Sequence, residues 1–242
     1  MSLSIIIPTL NEEAALPATL KSVAALTPAP LEVIVVDSSS QDRTVDIARA
    51  YGARVITGLP PGRAGQMNAG ARIASGDQLC FLHADTELPA DFVSLANGVL
   101  SDPRTALAGF ISIMRGDNGV RRITTAHNFL KTWYAPLLFR TISFFRGARL
   151  LFGDQVMFCR RQDFWACGGF DAGQMIMEEA DLCIRLSQLG RIIQVNRIVL
   201  SSDRRVAKWG VLKANFIYLA IGFLWGLGVS DSTLQRFYEA VR

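Results

Sequence analysis

Three stretches decide the fold: SIIIPTLNEE (4–13), EVIVVDSSSQD (32–42) and QLCFLHADT (78–86). Each is a short apolar run without polar alternation, closed by a polar cluster that bears a carboxylate. Strands buried on both faces read this way, and they belong to parallel sheets covered by helices. In an open parallel sheet, ligands gather beyond the carboxyl ends of the strands. Asn11, Glu12, Asp37, His83 and Asp85 are therefore expected to converge on one crevice.

Helical segments separate the three runs. Residues 12–26 carry Ala, Leu and Val at helical spacing, with Pro17 near the first turn, and Pro28 and Pro30 break the chain before the second run. Asp42 is placed to cap a helix at 43–51 that Gly52 ends. ARVIT (53–57) reads as a third strand, followed by a Gly/Pro-rich loop from Gly58 to Gly65 and an Ala-rich helix over 64–74. The run at 78–83 is the next strand, and 89–100 reads as a helix. This alternation over 1–100 predicts a parallel, doubly wound half-sheet.

The second half is less regular. Residues 105–114 read as a strand, expected to be antiparallel, and 153–161 contain a short strand. DFWACGGF (163–170) gives one helical turn and a glycine turn. MEEADLCIRLSQLG (177–190) is an amphipathic helix with Gly190 as its C-cap, and RIIQV (191–195) is a further strand. The expected organisation is a 1–207 unit, with halves 1–104 and 105–207, and an apolar helical extension at 208–242.

The chain has 242 residues, half of them apolar and 19% charged, with a net charge of +4. That length is enough for a sizeable core. The positive excess suits anionic ligands or an anionic membrane surface, and no Lys/Arg run is dense enough for a nucleic-acid groove. Four cysteines without C-x-x-C spacing and only two histidines argue against a Cys/His zinc site. Cys80 and Cys183 read as buried thiols in a reducing cytoplasm. The amino terminus enters a strand directly and shows no signal-peptide pattern.

Taken together, PTLNE (8–12), VVDSSSQD (35–42), GRAGQMNAGA (62–71) and LHADT (82–86) resemble the inverting family 2 glycosyltransferases of GT-A fold. GDQ (153–155), GGF (168–170), MEEADL (177–182) and SSDRR (201–205) extend the likeness to residue 209. The wording of GRAGQMNAGA and FLHADT is most similar to a bacterial subgroup associated with arsenosugar biosynthesis. The resemblance implies a Rossmann-like α/β, mixed, mostly parallel sheet flanked by helices. It also implies transfer of a sugar from a nucleotide diphosphate sugar, UDP foremost, to an acceptor hydroxyl.

Residue roles follow from the same resemblance. Asp37 stands where the family's carboxylate meets the nucleotide base, with Pro8, Thr9, Asn11, Glu12 and Ser38 around it. Arg63, at a helix start, suits phosphate oxygens, and Asn68 and Gly70 match the helix that approaches the nucleotide sugar. His83-Ala84-Asp85 occupies the family's D-x-D position. There Asp85, with His83 in place of the first Asp, would hold Mn²⁺ or Mg²⁺ on the diphosphate. Glu178, Glu179 and Asp181 open the helix that carries the general base. Glu179 replaces the family's Asp, and Asp181 is also placed to pair with Arg185 at i,i+4. Gly153, Asp154 and Gln155 match a segment on the acceptor side. Arg204 and Arg205 resemble an element that closes over the diphosphate, although Val206 replaces its Trp and Trp209 follows three residues later.

Other readings have weaker support. A nucleotidyltransferase would place a Gly-rich, Arg-containing loop after the first strand, and an NAD enzyme would place G-x-G-x-x-G there; this chain has TLNEEAA. A scaffold that has lost catalysis is the non-enzymatic alternative, resting on His83 and Glu179. FIYLAIGFLWGLGV (216–229) is too short for a spanning helix. Together with the aromatic and basic residues of 129–146, it leaves open a core or homodimer contact and a peripheral membrane contact serving a lipid-like acceptor. Localisation is expected to be cytoplasmic, with the inner face of the membrane as the contact surface in that second case.

Overall fold

The computed structural model describes residues 1–116 and 119–241. The first half alternates as its periodicity predicts: β1 (Leu3–Thr9), α1 (Leu16–Ala24), β2 (Glu32–Asp37), α2 (Thr44–Ala50), β3 (Arg54–Ile56), α3 (Arg63–Ile73), β4 (Gln78–Phe81), β5 (Thr86–Glu87) and α4 (Phe92–Leu100). The second half adds β6 (Thr105–Gly116), β7 (Gly119–Val120), α5 (Arg122–Phe139), α6 (Thr141–Phe145), β8 (Met157–Arg160), α7 (Arg161–Ala166), α8 (Glu178–Leu186), β9 (Arg191–Ser202), α9 (Arg204–Trp209), α10 (Val211–Gly226) and α11 (Asp231–Val241).

Among the described residues the strands form one nine-stranded sheet in the order β3-β2-β1-β4-β8-β6-β9-β5, with β7 folded back on β6. β3, β2, β1 and β4 are mutually parallel. The strand at 105–116 departs from expectation. It pairs antiparallel with β8 and β7 but parallel with β9; because β8 is also antiparallel to β4, β6 runs in the same sense as the first four strands, and β8, β7 and β5 are the reversed strands. Hydropathy marks a buried strand but carries no sign of direction; direction is set by the neighbour with which the strand pairs.

The apolar runs are buried on both faces, as read. Ile5, Ile7, Val35 and Cys80 pack under Leu16, Leu20, Phe92 and Ala96 of α1 and α4. Ile6, Ile34, Val36 and Phe81 pack against Met67 and Ala71 of α3 and against Phe164, Leu182 and Leu186. Burying each of the Ile, Val, Leu, Phe and Met side chains among them contributes roughly 1.5–3 kcal/mol. Helix ends fall within a few residues of the reading, but α1 opens at Leu16 rather than 12, α4 at Phe92 rather than 89, and α8 stops at Leu186 rather than at a Gly190 cap. Gly190 instead passes close to the Arg104 backbone, where a Cβ would stand 2.6 Å from its carbonyl oxygen. Asp42 stands one residue before the N-cap of α2, which is Arg43 and not Asp42; its Oδ1 accepts the Thr44 N–H at 3.0 Å.

Candidate active site

The site forms because β5 pairs with the end of β9, joining Thr86 to Ser201. That register brings Arg204, at the start of α9, over the cluster that follows β4. Its guanidinium lies 2.9 Å from Asp85 Oδ2 and 2.8 Å from Glu12 Oε2. Two of the three strand-end clusters are thus clamped by one cation from the far end of the chain. Asn11 takes a positive φ of 54° at the bend after β1, which Asn tolerates better than most residues.

The cavity above this clamp has a volume of about 840 Å³. Pro8, Thr9, Asn11, Glu12, Arg63, His83, Ala84, Asp85, Gly153, Asp154, Glu178, Glu179, Arg204 and Arg205 all line it. Most of the residues read as functional in the sequence therefore meet in one place. α8 delivers the two glutamates. Its inner side, Leu182, Cys183 and Leu186, is buried in the core, and Met177 at φ 62° turns the chain into its first turn.

Glu178 and Glu179 are both buried. Arg63 Nη1 stands 3.7 Å from Glu178 Oε1 and 3.8 Å from Glu179 Oε1, and His83 Nε2 stands 3.6 Å from Glu179 Oε1. Burial, and then the charge of Glu179, push the Glu178 carboxyl up to about 8. Burial also opposes ionisation of Glu179, but the His83 ring and the Arg63 guanidinium outweigh it and hold that carboxyl down. At neutral pH the pair therefore holds one proton and one negative charge, with the proton favoured on Glu178 and the charge on Glu179.

His83 is held in a narrow slot. A Cβ on Gly153 would collide with its ring, so the glycine of the 3₁₀ turn at Gly153–Gln155 is what admits the imidazole. Val156, which ends that turn, is fully buried at φ 55°, a costly conformation for a β-branched residue. His83 Nε2 is buried and has no hydrogen-bond partner. With Asp85 it offers one imidazole nitrogen and one carboxylate. No group of three or more His, Cys, Asp or Glu ligands occurs among the described residues. This donor set fits a divalent ion that draws its remaining ligands from diphosphate and water, not one caged by protein.

Several residues read as functional do not line the cavity. Asp37 is 1% exposed; its carboxylate accepts from Thr9 Oγ1 at 3.0 Å and from the Ser40 N–H at 2.8 Å. Ser38 donates to the Pro60 carbonyl. Asn68 bridges to Phe170, donating to its carbonyl at 2.7 Å and accepting its N–H at 2.9 Å. Gly70 lets α3 press on β1: a Cβ there would lie 2.5 Å from Ile6 Cγ2. Gln155 donates to Thr132 Oγ1. Asp181 pairs with Arg185 at 2.6 Å, and Arg185 also donates to the Cys167 and Gly169 carbonyls, tying α8 to the glycine turn.

Other cavity residues carried no individual signal in the sequence. Gln66 donates to the carbonyls of Thr9 and Val36 at the floor. On α5, Lys131 lies 3.8 Å over the Phe152 ring, and His127 bonds Tyr134 at 2.9 Å and Asn215 of α10 at 3.0 Å. Burial pushes the His127 imidazole down, keeping it neutral. The aromatic and basic character of 120–148 flagged this segment, but only the packing of α5 on α10 selects the side chains that face inward. The cysteines take no part: Cys80, Cys159 and Cys183 are buried free thiols, and burial raises that of Cys183 to about 12.

Known proteins resemble this chain in sequence and in fold. A PGL/p-HBAD biosynthesis glycosyltransferase of Mycobacterium bovis (strain BCG / Pasteur 1173P2) is 32% identical over 197 residues, 75% of this chain and 68% of its own length. A mannosyltransferase of Pyrobaculum calidifontis, solved with GDP-Man and Mn²⁺, superposes with a TM-score of 0.68 at 21% identity, covering 93% of this chain and 61% of that one. The Mycobacterium tuberculosis glucosyl-3-phosphoglycerate synthase, solved with Mn²⁺, UDP and phosphoglyceric acid, gives 0.64 at 22% identity over 96% of this chain and 80% of that one. This chain spans about two thirds of the curated relative and less of the archaeal enzyme. These neighbours share the GT-A fold. The family model described as "Glycosyl transferase family 2" matches residues 4–168, and the chain belongs to that family of glycosyltransferases.

Proposed function

We propose that the protein transfers a sugar from a nucleotide diphosphate sugar, with uridine the favoured base, to an acceptor hydroxyl, with inversion at the anomeric carbon. The observation that carries this reading is the meeting of Glu179, Arg63, His83, Asp85 and Arg204 on one cavity at the carboxyl ends of β1 and β4. Arg63 and Arg204, with Arg205, supply positive charge for the diphosphate. Asp85 and His83 would hold a divalent ion, which when bound offsets charge on the leaving diphosphate. Glu179, the ionised member of the glutamate pair, takes the proton of the acceptor hydroxyl as its oxygen attacks the anomeric carbon from the side opposite the nucleotide. When Arg63 engages the diphosphate, Glu179 loses a stabilising neighbour and becomes a stronger base. The UDP and GDP-Man held by structural neighbours support a nucleotide donor.

Calorimetric titration of UDP- and GDP-sugars with Mn²⁺, followed by release of the nucleotide diphosphate in wild type and Glu179→Gln, tests the proposal. The expected result is donor binding in both and a roughly 10²–10⁴-fold slower turnover in the variant. Undiminished turnover removes Glu179 as the base. Absence of donor binding across the panel removes the transferase reading.

A further inference from the structure

The aromatic and basic segments left over by the transfer chemistry fold into one surface. α5 and α10 run side by side in the same sense: Asn215 Nδ2 donates to Thr124 Oγ1 at 2.9 Å near their starts, and Phe139 meets Phe223 at 5.7 Å between ring centres near their ends. Beyond that seam both helices turn apolar side chains to solvent. On α5 Ile123, Leu130 and Leu137 recur every seven residues; on α10 Leu212, Phe216, Leu219 and Phe223 recur at steps of four, three and four. Such stripes normally face a core. On α6, Ile142 and Phe145 are 72% and 78% exposed. Scattered exposed apolar residues need no explanation, but a set of this size on adjoining helices marks an interaction surface.

Charge selects the partner. Of the chain's 25 Lys and Arg, ten lie in 119–153 and 204–230, which contain none of the 21 Asp and Glu. These two segments therefore carry +10 and the rest of the chain −6. Arg122, Arg140, Arg146 and Lys213 are exposed there and form no ion pair among the described residues. A second copy docked face to face would set these four unpaired cations against their own counterparts, with no carboxylate of either segment to offset them. Among the described residues no helix is long and apolar enough to cross a membrane; α10, at 16 residues, is about 24 Å long and suits lying in an interface.

The cavity opens onto the same surface. Its lining holds Glu179, His83 and Asp154 and also Phe139 and Trp225. Leu138 of α5 and Leu219 and Phe223 of α10 line the cavity and are more than half exposed, so the helices that carry the outward apolar side chains also form part of the cavity wall. From this shared wall and the charge we infer that α5, α6 and α10 rest on an anionic lipid surface, from which an amphiphilic acceptor enters the cavity: hydroxyl toward Glu179, hydrocarbon along α5 and α10. The inference rests on the glycosyl-transfer reading above and names its acceptor class.

The test uses the full chain, vesicles of phosphatidylcholine with and without about 30% phosphatidylglycerol, and donor titration in parallel. The expected result is co-sedimentation with the anionic vesicles, at least about tenfold weaker binding to the neutral ones, and release at about 500 mM salt, where screening is strong. Arg140→Glu with Arg146→Glu should lower anionic-vesicle affinity by more than about 25-fold, near fivefold or more per cation. Ile142→Glu with Phe145→Glu should weaken binding to a similar degree. Both pairs lie outside the cavity and should leave donor affinity unchanged. With alkyl glycosides as acceptors, KM should fall as the chain lengthens. Intact donor binding without vesicle binding overturns the inference, as does a KM indifferent to chain length. So does a solution dimer that Ile142→Glu with Phe145→Glu dissociates, since a second copy then covers the face. Loss of donor binding in the wild type instead overturns the transferase reading on which the inference stands.

Discussion

Glu178→Gln should make the protein more stable at neutral pH, and its effect should be pH-dependent in a way that reports the buried pair. The structure raises the Glu178 carboxyl from 4.5 to about 8. Between those values the native state keeps a proton that the unfolded chain releases. Stability therefore falls as pH rises through the window and levels off above it. At pH 7 the cost is on the order of 3 kcal/mol. Glutamine is a neutral stand-in for the protonated acid, and its amide can donate to Glu179, so the variant should recover most of that amount. With an unfolding entropy near 2.1 cal/mol/K per residue, a chain of 242 residues should gain about 6 °C in Tm. Glu179 is lowered, so its contribution is complete above its unfolded value, is lost only in acid, and does not distort the window. Thermal unfolding of wild type and variant from pH 5 to pH 9 is the assay. The curves should approach each other near pH 5 and diverge toward pH 8. A wild-type Tm that stays flat over this range, or a variant less stable at pH 8, refutes a protonated Glu178.

Gly153→Ala drives a methyl group into the His83 ring. It should cut turnover by roughly 10²-fold, the scale of a 1 Å misplacement, with the fold retained by circular dichroism. Gly70→Ala sets a Cβ 2.5 Å from Ile6 Cγ2; it should cost about 1–3 kcal/mol in chemical denaturation, while the folded protein keeps its donor affinity. Arg204→Met removes a half-exposed pairing with Glu12 and Asp85. Stability should change by about 1 kcal/mol or less, and the donor KM should rise, measured by nucleotide release.

The part of the candidate site at the strand ends was legible because parallel-sheet geometry ties sequence position to the crevice. A strand end followed by Asn-Glu or by His-Ala-Asp must lie at the crevice, and Asn11, Glu12, His83 and Asp85 do. Asp37 satisfied the same rule yet turned inward, because Thr9 and Ser40 offered its carboxylate partners at once. Asn68 and Gly70 belong to a recognisable motif, but the side of α3 they occupy is the packed one. A motif records residue types and spacing, whereas the azimuth of each side chain depends on what the helix packs against.

The sequence by itself determined the layered α/β class, the strands of the first half, and the identity of the paired glutamates. Local periodicity and short-range polar clusters carry that information, and both survive in a linear string. Only the tertiary structure decided that β6 runs parallel to β1, that Arg204 closes on Glu12 and Asp85, and that Glu178 and Glu179 divide one proton between them. It also decided that the apolar stripes of α5 and α10 face outward beside the cavity. These are consequences of long-range pairing: β8 between β4 and β6 sets the sense of β6, α3 and the end of β4 bring Arg63 and His83 to the glutamates, β5 on β9 places Arg204, and α10 on α5 forms the outer face.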